Sequence, residues 1–229
     1  MIGVTFALPS ESSDFRRRIS TIHREGDLVV GKFDNHRLAI VHTGVGAKNC
    51  NARLEILLHT TQPRLIISSG FAGAVDDQLH IGELVLAENF SDPQLLAGAA
   101  RILRNYEPQV VKGFTATSII DSIAERNEVA RASGAAVVDM ETGAIANVCR
   151  VHGVPLLSLR VISDTPSQPF PAPPTVLFDI ERQRTDYRRL ISYLFGHPAA
   201  IPRMLRFSRQ VARLRETLTA PIIGLVRNF

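Results

Sequence analysis

Short apolar runs recur along the chain, continuous rather than alternating, each bounded by Gly, Pro or charged clusters. They fall at Ile2 to Leu8, Leu28 to Phe33, Leu38 to His42, Leu65 to Ser69, Leu84 to Ala87, Val110 to Ala116, Ala135 to Val138 and Pro155 to Ile162. Runs of this length without polar alternation predict strands buried on both faces. Between them, helical spacing predicts helices over Glu11 to His23, Ala47 to Thr60, Pro93 to Arg104, Asp121 to Ser133, Glu141 to His152, Thr175 to Leu194 and Ile201 to Leu218. The succession predicts an α/β chain with three layers, α/β/α, around a central mixed sheet. Asp34-Asn35 joins two of the runs as an antiparallel hairpin. Pro166 to Pro174 is too proline-dense for helix or central strand and predicts an extended loop that interrupts one domain, 1–229, without dividing it.

Composition changes this picture little: 229 residues, 45% apolar and 21% charged, suit one globular domain. The formal net charge of +4 is uneven. Arg182, Arg184, Arg188, Arg189, Arg203, Arg206, Arg209, Arg213, Arg215 and Arg227 gather towards the end, which marks 197–229 as a basic amphipathic extension. Met204, Phe207, Val211, Leu214 and Leu218 form a stripe at spacings of three and four, followed by the apolar ending Pro221 to Val226. Such a helix either packs its stripe on the domain or lies on an anionic membrane surface. Without interleaved aromatics or a known motif, nucleic acid is not an expected partner. Cys50 and Cys149 lack metal-ligand neighbours in sequence and read as buried thiols, so no metal and no cofactor are expected. The N-terminus has no basic region or cleavage site, and no apolar stretch reaches the roughly 18 residues of a membrane span. A cytoplasmic protein is expected, or one peripheral to the inner face of a membrane.

In open α/β sheets ligands gather at the carboxyl ends of strands, so polar residues just after the apolar runs are the ones to inspect. Ser10-Glu11 follows the first run, where Ser10 reads as a helix cap and Glu11 as a dipole partner or a catalytic carboxylate. Thr43-Gly44-Val45-Gly46 and Ser69-Gly70-Phe71-Ala72-Gly73 read as glycine-rich strand-to-helix turns, without a third glycine or a Gly-Lys-Ser/Thr that would mark a phosphate loop. Val138-Asp139-Met140-Glu141 and Arg160-Val161-Ile162-Ser163-Asp164 each end an apolar run with acids. Paired carboxylates in one cleft are the equipment of glycosidic bond cleavage.

The order of these motifs, with Ile81-Gly82-Glu83-Leu84-Val85 and Gly153-Val154-Pro155, resembles the purine nucleoside phosphorylase and methylthioadenosine/S-adenosylhomocysteine nucleosidase superfamily up to about Asp164. The resemblance implies a nucleoside-phosphorylase-like fold and a homodimer. It implies that Glu141 accepts from the ribose 2′- and 3′-hydroxyls, Met140 packs on the sugar, Asp164 protonates purine N7 and Glu11 activates water. Gly44, Val45, Gly70, Phe71, Ala72, Gly73, Val138, Asp139 and Ser163 would complete the substrate site.

Departures qualify it. Asp139 stands where these nucleosidases carry Glu, Phe71 where many have Ser, and Ser68 where phosphorolytic members carry a phosphate-binding Arg. The stretch from Glu88 to Gly113 is short, leaving the pocket open at the nucleoside's 5′ end, and Thr175 to Phe229 is similar to the hopanoid-associated phosphorylase branch. The leading expectation is hydrolysis of a 5′-modified adenosine. Phosphorolysis is the alternative, and a catalytically idle, membrane-associated nucleoside binder is the third reading.

Overall fold

The computed structural model describes residues 1–179, 183 and 186–229. Four parallel strands form the centre: β1 (Ile2–Phe6), β4 (His36–His42), β5 (Ile66–Ala74) and β10 (Leu156–Asp164). β2 (Ser20–Glu25) and β3 (Leu28–Phe33) extend the sheet antiparallel beyond β4, while β6 (Leu84–Ala87) and β7 (Gln109–Val111) extend it beyond β10. β9 (Val137–Asp139) pairs with the end of β5 and with β8 (Gly113–Thr115).

The continuous apolar runs arise because both sheet faces are covered. On β1, β4, β5 and β10, Val4, Ile40, Ile67, Leu157 and Leu159 point to one core. Their neighbours Ala39, Val41, Ile66 and Leu156 point to another. The first core is closed by α1 (Pro9–Arg16), α3 (Pro93–Ile102) and α8 (Ile201–Asn228). The second is closed by α2 (Ala47–Thr61) and α5 (Thr142–Val151), and it takes in Cys50 and Cys149, whose thiols burial pushes up to about 12. α4 (Ile123–Ser133) covers β8 and β9 through Val129 and Val138. The outcome is the expected three-layer arrangement with a mixed sheet.

Several elements differ from the sequence expectation. The helix expected over Glu11 to His23 stops at Arg16, and Ser20–Glu25 is strand. Phe15 and Ile19 are buried at helical spacing, but Ile22, which would continue the stripe, is 55% exposed. Leu8, not Ser10, occupies the cap position of α1. Val110 to Ala116 divides at Lys112, because Asn89 grips both the N–H and the C=O of Gly113 and the two halves then pair with different strands. The expected Thr175 to Leu194 helix is two pieces, α6 (Pro174–Leu177) and α7 (Tyr187–Gly196), the latter capped by Asp186. Residues 180–182 and 184–185 of that expectation, Arg182 and Arg184 among them, lie outside the described residues.

α8 is the largest correction, because it runs to Asn228, through Pro221. Leu214, Leu218, Ile222, Leu225 and Val226 are buried in the first core, which outweighs the hydrogen bond lost at Pro221. Arg227 fixes its end, donating to Asp34 at 2.9 Å and stacking 4.9 Å from the centre of the Phe33 ring. Leu214 and Leu218 of the stripe and the apolar ending therefore belong to the domain core, while Phe207 and Val211 are half-buried. Among the described residues no helix is long and apolar enough to cross a membrane.

Candidate active site

The carboxyl ends of β1, β4, β5 and β10 open onto one cavity of about 340 Å³. Glu11, Asp139, Met140, Glu141, Ser163 and Asp164 line its polar end, with Val45, Phe71, Ala72, Gly73 and Val138 in its walls. Eleven of the thirteen residues singled out in the sequence meet here. Gly44 and Gly70 do not line this cavity; each instead leaves room for a neighbour. A β-carbon at Gly44, where φ is +75°, would stand 2.7 Å from the Gln183 amide oxygen.

The glycine run Ser69 to Gly73 is not a turn, as expected, but the end of β5 itself. Its glycines clear space for the two acids. A β-carbon at Gly70 would lie 3.2 Å from a Glu11 carboxylate oxygen, and one at Gly73 would lie 2.8 Å from Asp164 Oδ2. Sheet register sets the second contact, since Asp164 is the partner of Gly73 across the β5–β10 pair. The Thr43 to Gly46 segment is a true turn, with φ of +75° and +90° at its glycines. It presents the Gly46 N–H to Glu141 Oε1 at 3.0 Å, so α2 and α5 are tied together at the site.

Two of the acids are held away from their ordinary ionisation. Burial drives the Glu141 carboxyl up to about 8, with the nearby Asp139 and Glu11 charges adding to it and the Gly46 N–H opposing it. Burial likewise raises Glu11, against the Leu8 N–H that donates to its carboxylate at 3.1 Å. Burial lowers His42 to about 4, and its Nε2 lies 2.7 Å from the Ser12 hydroxyl just behind Glu11.

Asp139 lines the cavity, but its oxygens are committed to the protein. They accept from Arg160 Nε at 3.0 Å, from Thr115 at 3.0 Å, from the Glu141 and Thr142 N–H groups and from the Thr142 hydroxyl. The carboxylate thus holds the N–H groups that open α5 and anchors Arg160.

Two buried arginines were not given roles in the sequence. Arg160 directs all five of its N–H donors to Asp139, Thr142, the Ser68 carbonyl, the Ser68 hydroxyl and the Leu159 carbonyl. Its signal was visible, as an arginine inside an otherwise apolar strand. Arg126 gave no such signal in the polar sequence of α4. It is fully buried, donating to the Ala74 carbonyl and to Asp164 Oδ2, while the Ser163 hydroxyl donates to Asp164 Oδ1 at 2.6 Å.

Behind Glu11 lies a second cavity of about 10 Å³, the size of one water. Thr5, Ser69, Gly70, Glu141 and Arg160 share its walls with Glu11, and the Thr5 and Ser69 hydroxyls have no protein partner there. The far end of the main cavity is apolar, built by Ile119 and Ile120 with Phe170, Leu177, Phe178 and Phe207. The proline-rich loop and α8 meet there through Phe170 and Phe207, whose rings are 5.9 Å apart, edge to face. Elsewhere, Glu55, His59 and His152 group their ligand atoms at the carboxyl ends of α2 and α5, and none of them lines the main cavity.

The likeness to known proteins follows the same outline. The 5'-methylthioadenosine/S-adenosylhomocysteine nucleosidase of Bacillus cytotoxicus is 30% identical over 198 residues, 71% of this chain and 85% of that protein. The crystal structure of the enzyme of that name from Campylobacter jejuni superposes with a TM-score of 0.75 at 16% identity, covering 100% of this chain and 99% of that one. Futalosine hydrolase of Helicobacter pylori gives 0.75 at 15% identity, over 100% and 97%. The sequence model named Phosphorylase superfamily matches residues 1–101 and 87–194, a span that holds every acid of the cavity, and the chain belongs to that superfamily.

Proposed function

We propose that the chain hydrolyses the N-glycosidic bond of a purine nucleoside, a 5′-modified adenosine of the methylthioadenosine, adenosylhomocysteine or adenosyl-lipid type. Glu141 receives the ribose hydroxyls, a task for an ionised carboxylate. Met140 packs on the sugar. Asp164 gives a proton to purine N7 as the C1′–N9 bond breaks, so the base leaves neutral and the sugar becomes oxocarbenium-like. Glu11 takes a proton from the water that attacks C1′. Its burial raises its proton affinity, which suits a base near neutral pH. The Thr5 and Ser69 hydroxyls are the available holders for such a water.

Asp164 can donate only after it acquires a proton and its Oδ2 is released or shared by Arg126. Purine binding at N7 competes for that oxygen, which makes Arg126 a positioning residue for the acid.

The observation that favours water over phosphate is Arg160. It is the buried cation near Glu11, and its five donors are all engaged by the protein. Among the described residues, a phosphate dianion there would face Glu11 and Glu141 without a free counter-charge. Relatives with the nucleosidase name support the same reading. Incubation with methylthioadenosine, adenosylhomocysteine, adenosine and inosine tests it. Free base must appear in phosphate-free buffer; an absolute phosphate requirement with ribose-1-phosphate as product would establish phosphorolysis, and an intact nucleoside bound to a thermally stabilised protein would establish an idle binder.

The same reading includes a homodimer, for which sedimentation is the test, and a location against the inner face of a membrane. The support for the membrane partner is the arginine-rich sequence of the C-terminal part.

A further inference from the structure

With the second half of α8 buried in the core, the basic character of the C-terminal part falls on a different surface. From Tyr187 to Arg213 the sequence holds six arginines, Arg188, Arg189, Arg203, Arg206, Arg209 and Arg213, and no acidic residue. All six are exposed. This segment is α7, a 3-10 turn at Pro198–Ala200 and the first half of α8, two successive helices joined by a short turn. Tyr187, Ile191 and Phe195 recur every four residues and therefore share one face of α7, standing out at 71%, 53% and 85% exposure. Ile201 and Leu205, also four apart, are exposed on the first turns of α8.

Large apolar side chains at helical spacing, framed by arginines of which Arg189 meets the Asp186 carboxylate at 3.4 Å, are the composition of a helix that lies in the interface of an anionic bilayer. A second copy of the chain fits poorly, because a two-fold interface would set the arginine face against itself. A nucleic acid would use the arginines but not the Ile191 and Leu205 side chains.

We infer that α7 and the first turns of α8 dock the protein on an anionic lipid surface, with the arginines at the headgroups and Tyr187, Ile191, Phe195, Ile201 and Leu205 below them. This sharpens the membrane partner of the proposed function and rests on it in that respect, but it does not depend on the hydrolytic chemistry. The docked face adjoins the active cavity. Leu177, on α6 packed against α7, and Phe207, beside Arg206 and Ser208 on α8, both line the cavity's apolar end. Docking therefore brings that end towards the bilayer.

The test uses the full chain with vesicles of phosphatidylcholine and phosphatidylglycerol in equal parts, beside pure phosphatidylcholine. Cosedimentation is expected with the mixed vesicles only, weakened by added salt as screening requires. Replacing Arg188 and Arg189 by Gln is expected to weaken binding by roughly fivefold for each charge removed. Ile191→Asp with Phe195→Asp is expected to reduce it at least as much. These side chains are exposed, so an unchanged melting temperature verifies the fold. Base release from a soluble nucleoside is measured in parallel: vesicle binding without base release would leave this surface standing while removing the proposed chemistry. Wild-type protein that ignores the mixed vesicles, variants that bind as the wild type does, or a face that instead loses self-association or DNA binding on substitution would each overturn the inference.

Discussion

At the residue scale, the site turns on where protons and buried charges sit. Glu141 is held near 8, so kcat/KM is expected to rise with pH through that value as the clamp ionises, and a pH profile of base release checks it. Stability moves the other way. A carboxyl raised from 4.5 to about 8 leaves the folded state with more bound protons than the unfolded state, so stability declines as pH climbs through that window. Glu141→Gln should flatten this part of the curve in thermal melts at a series of pH values, and should cost base release. Asp164→Asn is expected to slow base release by about 10²- to 10⁴-fold while nucleoside binding persists in a thermal-shift assay. Arg126→Leu leaves Asp164 buried and unpaired, and urea unfolding should reveal a loss of about 3–5 kcal/mol.

The acids and their order were legible in the sequence because each closes an apolar run. The two arginines were not, because their roles depend on partners far along the chain: Asp164 is 38 positions from Arg126, and Ser68 is 92 from Arg160. Glycine was misread for the same reason. Gly70 and Gly73 need no turn; they make room for carboxylates that arrive from α1 and β10.

At the scale of elements, legibility followed burial. β1, β4, β10 and the first half of β5 are covered on both faces and read as continuous apolar runs, while the glycine-rich second half of β5 was read as a turn. β2 is exposed at all six positions, and a strand defined only by edge pairing leaves no hydrophobic pattern. α8 was read only as far as Leu218, whereas packing on both sides of Pro221 carries the helix onward. This makes the end of α8 a stability determinant: Ile222→Ala or Leu225→Ala should cost about 2–5 kcal/mol in denaturant unfolding, as full burial of those side chains demands. A protein in which α8 were a detachable extension would lose almost nothing. Asp186, as the cap of α7, belongs to the same scale, since it fixes where the exposed apolar face of α7 begins.

At the scale of the whole molecule, the sheet, its two helical layers and the cavity form one arrangement. Parallel strands bring Glu11, the Gly44 to Gly46 turn, the end of β5 and Asp164 to the same edge, β9 carries Asp139 to Glu141 in from the side, and Leu177 of α6 with Phe207 and Val211 of α8 line the apolar end. The central claim is that water, not phosphate, attacks the sugar. Its most direct test is turnover in water enriched in heavy oxygen with phosphate also present, the sugar product being weighed by mass spectrometry. Hydrolysis predicts one labelled oxygen on the freed sugar at its anomeric carbon and a rate indifferent to phosphate; an unlabelled sugar-1-phosphate, formed only when phosphate is supplied, would contradict the account.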